Sequence, residues 1–567
     1  MKIKTIGKVF VWIIAVVVAL EFLSLAVSYF TKRIPSNTAL VLRLEGSISE
    51  EAPQDTLSEL AFGQRTTVAD IVEALDRART DPRITGLVVR VGEPLMGLAK
   101  MQEVRRKIRE FNRSGKFSVA YLEFATNRSY YLASACKTVI FMPRSVLYVR
   151  GLMTSTTFYR GTLDKLGVYP DLYHIGEYKN AMNVYTEKKY SPPHREADLA
   201  LLEDFERQFV RDLAESRGMT PELMEQTIAR GPFSSEEALA AKLVDRLGYA
   251  DESRKLVEEK NKGSDSRISL HEYLRRTEHQ GRTKLAVIYA TGTILPGHSS
   301  ESPWGGPVMG SETIAEQFRN VREDDSIKAV VLRIDSPGGA AFASEVIRRE
   351  VEKTQSEKPV VVSMSDVAAS GGYWIAMGAN KVLAERGTIT GSIGVVAGKF
   401  NLTGLYQKLG LSKDHLETTA NSTMDWPFQN FTPGQRESLL RLMNETYKDF
   451  VQGVAKGRKL EPAAVEKVAQ GRVWTGEQAR ERGLVDALGG FDAAINAAKQ
   501  LAKIPQQEQV TLIYLPKPKP LLDRVLDLME GASFLSGRAS PGRWLQSLES
   551  LARTPVWTIL PAVPEVQ

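Results

Sequence analysis

The chain has 567 residues, length enough for three or four domains at roughly 150 residues each. Its 43% hydrophobic and 25% charged residues exclude global disorder. A net charge of +6 from 74 Lys and Arg against 68 Asp and Glu is too thin, and beyond the N-terminus too scattered, for a nucleic-acid binder. One cysteine, Cys136, leaves no intrachain disulfide framework, CxxC zinc site or iron–sulfur cluster, and the six histidines form no HxH or HxxxH pair.

From Val9 to Phe30 the chain reads VFVWIIAVVVALEFLSLAVSYF, with Glu21 its one charged residue. As a helix this run spans about 30 Å, the thickness of a bilayer core. Lys2, Lys4 and Lys8 precede it and Lys32 and Arg33 follow, which with the α-amino group favours the N-terminus inside. The run exceeds a usual signal-peptide core and no A-x-A cleavage pattern follows it. The expectation is an uncleaved single-pass anchor over residues 1–34, with everything after it on the far side of the membrane.

The remainder is written twice. ITGLVVR at Ile84–Arg90 returns as IKAVVLR at Ile327–Arg333, an offset of 243 residues. At the same offset YYLA from Tyr130 matches YWIA from Tyr373, and Lys165-Leu166-Gly167 matches Lys408-Leu409-Gly410. Leu243-Val244-Asp245 matches Leu484-Val485-Asp486 at 241, a two-residue deletion. Chance rarely keeps one offset with its punctuation in step, so the pattern is a duplication. In each copy, short apolar strands (Leu40–Leu44, Leu285–Tyr289, then GLVVRV, AVVLRI and PVVVSM) alternate with helices such as Thr67–Arg79 and Thr313–Arg322. This predicts an α/β fold with parallel sheet. The reading divides the chain into a repeat over 35–252, a charged connection over 253–284, a repeat over 285–505 and a tail over 506–567. The tail includes an apolar-faced helix at Leu521–Met529.

Chemistry concentrates where the copies differ. After AVVLRI the second copy has Asp335-Ser336-Pro337-Gly338-Gly339, where the first has Gly92-Glu93-Pro94-Leu95-Met96. Paired glycines after a strand turn sharply and present bare N–H groups suited to an oxyanion. After PVVVSM the second copy has Ala368-Ala369-Ser370-Gly371-Gly372. A serine at a helix start is commonly just an N-cap. Here small neighbours leave room for a substrate chain, whereas the first copy places Asn127, Arg128 and Ser129 at these positions. A serine nucleophile needs a base, and no histidine lies in these motifs; a desolvated, neutral lysine is the alternative. Lys179, in Gly176-Glu177-Tyr178-Lys179-Asn180-Ala181, has Ser422 as its counterpart. A lone lysine is ordinarily solvated, but one copy holds the lysine without the serine and the other the serine without the lysine.

These motifs (the anchor, the duplication, RIDSPGG, AASGGYW, TGSIGV and GEYKNA) resemble the long bacterial form of the signal peptide peptidase A (protease IV) family over about residues 1–505. The resemblance implies tandem ClpP/crotonase-like domains after one transmembrane helix. It implies Ser370 as nucleophile, Lys179 as general base, oxyanion-hole N–H groups at Gly339 and Gly371, and a lysine-orienting hydroxyl at Ser392. It further implies a membrane-anchored serine endopeptidase, a homotetramer on the outer face of the cytoplasmic membrane, that degrades signal peptides and other apolar peptides without metal or cofactor. The rival readings are a crotonase-type acyl-CoA enzyme, which would need neither the complementary residues nor the anchor, and a non-catalytic membrane scaffold.

Overall fold

The computed structural model describes residues 33–51, 66–277, 281–301, 306–517 and 553–559. Among these residues no helix is long and apolar enough to cross a membrane; the run Val9–Phe30 and the expected helix Leu521–Met529 lie outside them.

Each repeat is built on a largely parallel sheet. The first has strand order Arg267–Ser269, Thr38–Ser47, Ile84–Leu95, Phe117–Leu122, Thr138–Phe141 and Arg246–Leu247, all parallel. The second has Val473–Thr475, Ile389–Gly391, Val360–Ala369, Ile327–Ser336, Thr283–Thr291 and Val510–Leu515, with Lys381–Ala384 branching from Val360–Ala369. The strands read as continuous apolar runs because both sheet faces are covered. In the first repeat Leu87 and Val89 enter one core while Val88 joins Ala39, Val119 and Ile140 on the opposite face. In the second, Val330 and Leu332 enter one core while Val331 joins Leu285, Val287 and Val361.

Two regions depart from the expected division. The charged stretch 253–284 is more than a connection: most of helix Ala250–Lys260 falls in it, and Arg267–Ser269 pairs parallel to Thr38–Ser47 as an edge strand of the first sheet. The expected tail likewise begins inside the second sheet, since Val510–Leu515 pairs parallel to Thr283–Thr291. Arg267–Ser269 has three residues, one of them charged, and the apolar run Val510–Leu515 lies beyond the last repeated motif.

A third sheet joins the repeats. Its order is Ser300–Glu301, Pro307–Gly310, Thr293–Leu295, Gly338–Ala340, Arg553–Ile559, Val395–Asn401 and Tyr169–Ile175. First-repeat strand Tyr169–Ile175 lies antiparallel on second-repeat strand Val395–Asn401, from Val395 opposite Ile175 to Asn401 opposite Tyr169.

A buried ionic network also links the repeats. Arg333, 1% exposed, donates to Glu50 at 2.7 and 2.9 Å and to Glu103 at 2.9 Å. Burial alone would raise the Glu50 carboxyl, but Arg333 and Lys100 bring it down to about 2. Lys100 reaches Asp335 at 2.6 Å and Asp366 at 3.3 Å. A buried network of this kind is weak support for stability but is costly to break on one side, so it sets how the repeats register.

Candidate active site

Ser370 sits between strand Val360–Ala369 and helix Gly371–Ala376. Its φ of 56° and ψ of −115° lie outside the regions L-residues usually adopt, and such strain persists only where the surroundings impose it. Here the Ser370 N–H donates to the Gly391 carbonyl and its own carbonyl accepts from the Trp374 N–H, both at 2.8 Å. Gly372 packs directly on the preceding loop, where an added Cβ would lie 2.7 Å from the Ser336 carbonyl oxygen. The Ser370 hydroxyl makes no capping bond to its helix. The turn aims it elsewhere.

It meets Lys179. Strand Tyr169–Ile175 ends at Gly176, whose φ of +108° turns the chain back, and the Tyr178 N–H donates to the Gln470 carbonyl at 2.8 Å. Gly471, φ +74°, lies so close that a Cβ there would fall 2.5 Å from the Lys179 backbone. The segment around Gly471 contributes no reactive group, and sequence reasoning missed it; an isolated glycine between polar residues was its one signal.

Lys179 Nζ lies 2.7 Å from Ser370 Oγ, 2.9 Å from the Ser392 carbonyl oxygen and 3.0 Å from Ser392 Oγ. Lys179, Ser370 and Ser392 are all fully buried. Burial pushes the lysine well below its ordinary 10.5. A neutral amine has two N–H donors and one lone pair. Three oxygens surround Nζ; a neutral amine there would give its two N–H bonds to the Ser392 carbonyl and hydroxyl and turn its lone pair to the Ser370 O–H. Ser392 can present both oxygens because its φ of 53° folds the chain back and its N–H is tied to the Arg472 carbonyl at 2.8 Å.

The two glycines lie on either side of this turn. Gly371 is the first residue of its helix, where backbone N–H groups have no intrahelical acceptor. Gly339 belongs to the short strand Gly338–Ala340, which Gly338 enters at φ +102°. It pairs with Ile294, and a Cβ there would lie 2.0 Å from the Ile294 carbonyl oxygen, so only glycine lets the loop lie this close. The Ser336 hydroxyl fixes the loop from below, donating to the Gly292 carbonyl at 2.6 Å and accepting from the Gly338 N–H at 3.2 Å.

A second set of supports was not anticipated from the sequence. Asp366, on the strand leading to Ser370, accepts from the Gly97 and Lys100 N–H groups at 2.9 and 3.0 Å. It thereby caps first-repeat helix Leu98–Arg113, whose N-cap Gly97 has no side chain to do so. Asp335, just before the glycine loop, accepts from the Val367 N–H at 3.1 Å and from Lys100 at 2.6 Å. One first-repeat lysine thus clamps both strands that carry the site.

Residues 110–264 and 352–505 each match the profile of Peptidase family S49. Protease 4 of Salmonella typhi is 33% identical over 520 residues, covering 87% of this chain and 82% of that protein. The chloroplastic serine protease SPPA of Arabidopsis thaliana is 33% identical over 509 residues, covering 88% and 74%. Among solved structures, a membrane-bound stomatin-specific protease in complex with a substrate peptide superposes with a TM-score of 0.27 at 17% identity, covering 44% of this chain and 98% of that one.

Proposed function

The chain belongs to Peptidase family S49 and is a serine peptidase of the protease 4 and SppA type; on that premise we propose that it is a membrane-anchored endopeptidase using a Ser370/Lys179 dyad. The observation that carries this reading is the 2.7 Å contact between a buried lysine amine and a serine hydroxyl held in a strained turn. Neutral Lys179 takes the proton of Ser370 as Oγ attacks the scissile carbonyl. Backbone N–H groups at Gly339 and Gly371 receive the oxyanion. Lys179 then protonates the leaving amine, and water hydrolyses the acyl-enzyme with the lysine again as base. Burial favours the neutral amine, and Ser392 aims it.

The substrates we propose are signal peptides and other apolar peptides in the cytoplasmic membrane. The anchor is Val9–Phe30, and the catalytic repeats stand on the outer face. The fold reading is a tandem ClpP/crotonase-like pair, assembled as a homotetramer. Phe342 and Val346, on one face of helix Ala341–Gln355 beside the glycine loop, are 57% and 44% exposed and offer an apolar surface for such contacts.

The test uses the full chain in detergent or vesicles. Ser370→Ala and Lys179→Ala each lower peptide hydrolysis by on the order of 10³-fold or more, and a fluorophosphonate adduct maps to Ser370. An adduct on another serine overturns the nucleophile, and retention of most activity by Lys179→Ala overturns the base. Because burial lowers the Lys179 pKa, activity rises with pH as the amine loses its proton. The same shift has a stability consequence. Between the folded and unfolded lysine pKa values the unfolded chain holds the extra proton, so stability increases with pH through that window. Lys179→Met is therefore more stable than wild type at neutral pH, and the gap in melting temperature closes as pH approaches 10.5.

A further inference from the structure

A second concentration of charge lies where the repeats meet. A cleft of about 260 Å³ opens between first-repeat helices Leu98–Arg113 and Pro192–Arg217 and the second-repeat residues Arg386 and Gly489. Arg105, Arg109 and Arg113 follow one another at helical spacing and share a face, with Arg106 beside them. With Arg386, five arginines line the cleft against three carboxylates, Asp212, Glu215 and Glu385.

The pairing of these groups leaves a surplus. Arg106 is taken by Glu385 at 3.2 Å and by Asp492 at 2.7 Å. Arg109 forks onto Glu215, and Arg386 reaches both Asp212 oxygens through one nitrogen, at 2.6 and 2.8 Å. The bonds of Arg105, 2% exposed, go to neutral acceptors: the Ser134 and Ser216 hydroxyls at 2.6 and 2.8 Å and the carbonyls of Tyr131 and Asp212. Arg113, exposed at the helix end, has no hydrogen bond or ion pair among the described residues. A buried cation without a carboxylate of its own is costly, and an anion in the cleft offsets that cost.

The geometry selects the class of anion. The Arg109 and Glu215 side chains are 32% and 55% exposed, and exposed pairs of this kind hold weakly, so Arg109 can turn to a ligand of higher charge. Arg386 keeps Nε and Nη1 for the cleft, and it lies close enough to Arg109 for the two charges to oppose each other. Three guanidinium forks at three positions suit a group with several acceptor oxygens and more than one negative charge. A phosphate has both; a carboxylate carries a single charge. Water occupies about 30 Å³ per molecule in the liquid, so the cleft has room for a phosphate and the group joined to it.

We propose that this cleft is a binding site for a phosphate-type polyanion, a phosphate monoester or pyrophosphate, held by Arg109, Arg113 and Arg386 with Arg105 behind them. Such a ligand ties the C-terminal end of helix Leu98–Arg113 to the second repeat. Asp366, on the strand leading to Ser370, already holds the other end of that helix, so the bound anion fastens it at both ends. The site shares no residue with the dyad, and it stands whether or not Ser370 and Lys179 are the reactive pair.

The test uses the full chain, as Ser370→Ala protein, in phosphatidylcholine vesicles. Inorganic pyrophosphate is titrated by calorimetry against sodium chloride of equal ionic strength, which removes general screening. Saturable binding at one site per chain is expected, with a rise in melting temperature of about 2 °C or more. Arg113→Gln removes no existing bond, and Arg386→Lys keeps the charge but loses the fork; each weakens binding about ten-fold. Arg90→Gln, at an exposed arginine elsewhere in the first repeat, leaves binding unchanged. Adding phosphatidate to the vesicles separates the sources of the phosphate. A lipid headgroup in the cleft raises the melting temperature of the parent protein but not of Arg113→Gln, and pyrophosphate then adds nothing. A protein that binds pyrophosphate and ignores phosphatidate takes a soluble phosphate. No saturable effect of either probe on the parent protein, or equal binding by the parent and both variants, overturns the site.

Discussion

The two repeats place the same turn on the same scaffold and finish it differently. In the first, Thr126 caps helix Asn127–Ala133 in an ordinary extended conformation, with a capping box to Ser129. Asn127 stands where the second repeat has Ser370, and its side-chain amide donates to the Gly151 carbonyl at 2.8 Å and accepts from the Arg150 N–H at 3.3 Å. Every polar group is spent on local structure. In the second repeat the cap residue is Ser370 itself, with no capping bond and a positive φ, and its hydroxyl goes to Lys179. The strand before the turn differs in the same sense. Ile84–Leu95 runs on, still pairing at Ser47 and Leu95, while Ile327–Ser336 breaks at Pro337 and leaves its sheet through Gly338. Val149 replaces Ser392, and exposed Ser422 replaces Lys179. At this turn the first repeat is relaxed, while the second keeps the strained conformation at Ser370, the proposed nucleophile, and draws Lys179 from the first.

Writing the first repeat's residue into the second gives the largest effect. Ser370→Asn lowers peptide hydrolysis by on the order of 10⁴-fold or more and abolishes the fluorophosphonate adduct. Circular dichroism stays unchanged, because asparagine is among the residues that most readily take a positive φ. The next contrast concerns stability. Arg90 and Arg333 are equivalent, but Arg90 is exposed and Arg333 is buried among Glu50, Glu103 and Ser363. Arg333→Met leaves buried Glu50 and Glu103 with only the more distant Lys100 at 3.9 Å and Arg106 at 3.8 Å, and destabilises by about 3–5 kcal/mol. Arg90→Met costs under about 0.5 kcal/mol. Similar losses in denaturant melts would mean that the ionic network does not join the repeats.

The duplication was legible because both cores demand the same spacing of apolar strands, and strands covered on both faces leave unbroken runs such as GLVVRV and AVVLRI. The residues proposed as reactive were legible because the copies diverge at them. Lys100, Asp335 and Asp366 were not: each looks like a surface charge, and only the docking of one repeat on the other buries them together. Edge strand Arg267–Ser269 was obscured by its shortness and flanking charge, and the apolar Val510–Leu515 by its place beyond the last repeated motif. The strand Arg553–Ile559 was obscured for a different reason, since Pro555 breaks the alternation by which a strand is read.

A smaller effect isolates the support of the lysine. Ser392→Gly keeps the positive φ and the carbonyl acceptor and removes only Oγ, one of three partners of Lys179 Nζ. One hydrogen bond is worth about 1–1.5 kcal/mol, so kcat falls about ten-fold while KM for a short peptide stays put. A change confined to KM would make Ser392 part of the peptide track and leave the lysine without an orienting hydroxyl.

The smallest effect is the reverse substitution. Asn127→Ser puts a hydroxyl where the first repeat lacks one, yet no second reactive serine forms. The incoming side chain would sit one residue inside a regular helix beginning with a satisfied cap, at a position whose neighbours are Arg128 and Ser129 in place of two glycines. Its lysine position holds Ser422, occupied with Thr418 and Thr419 on an exposed turn. The variant loses the Asn127 bonds to Gly151 and Arg150, about 1 kcal/mol of stability, and leaves hydrolysis unchanged. Fluorophosphonate labelling stays at one site per chain, and a second adduct at residue 127 would mean that the hydroxyl alone, without strain or lysine, is enough to make this turn reactive.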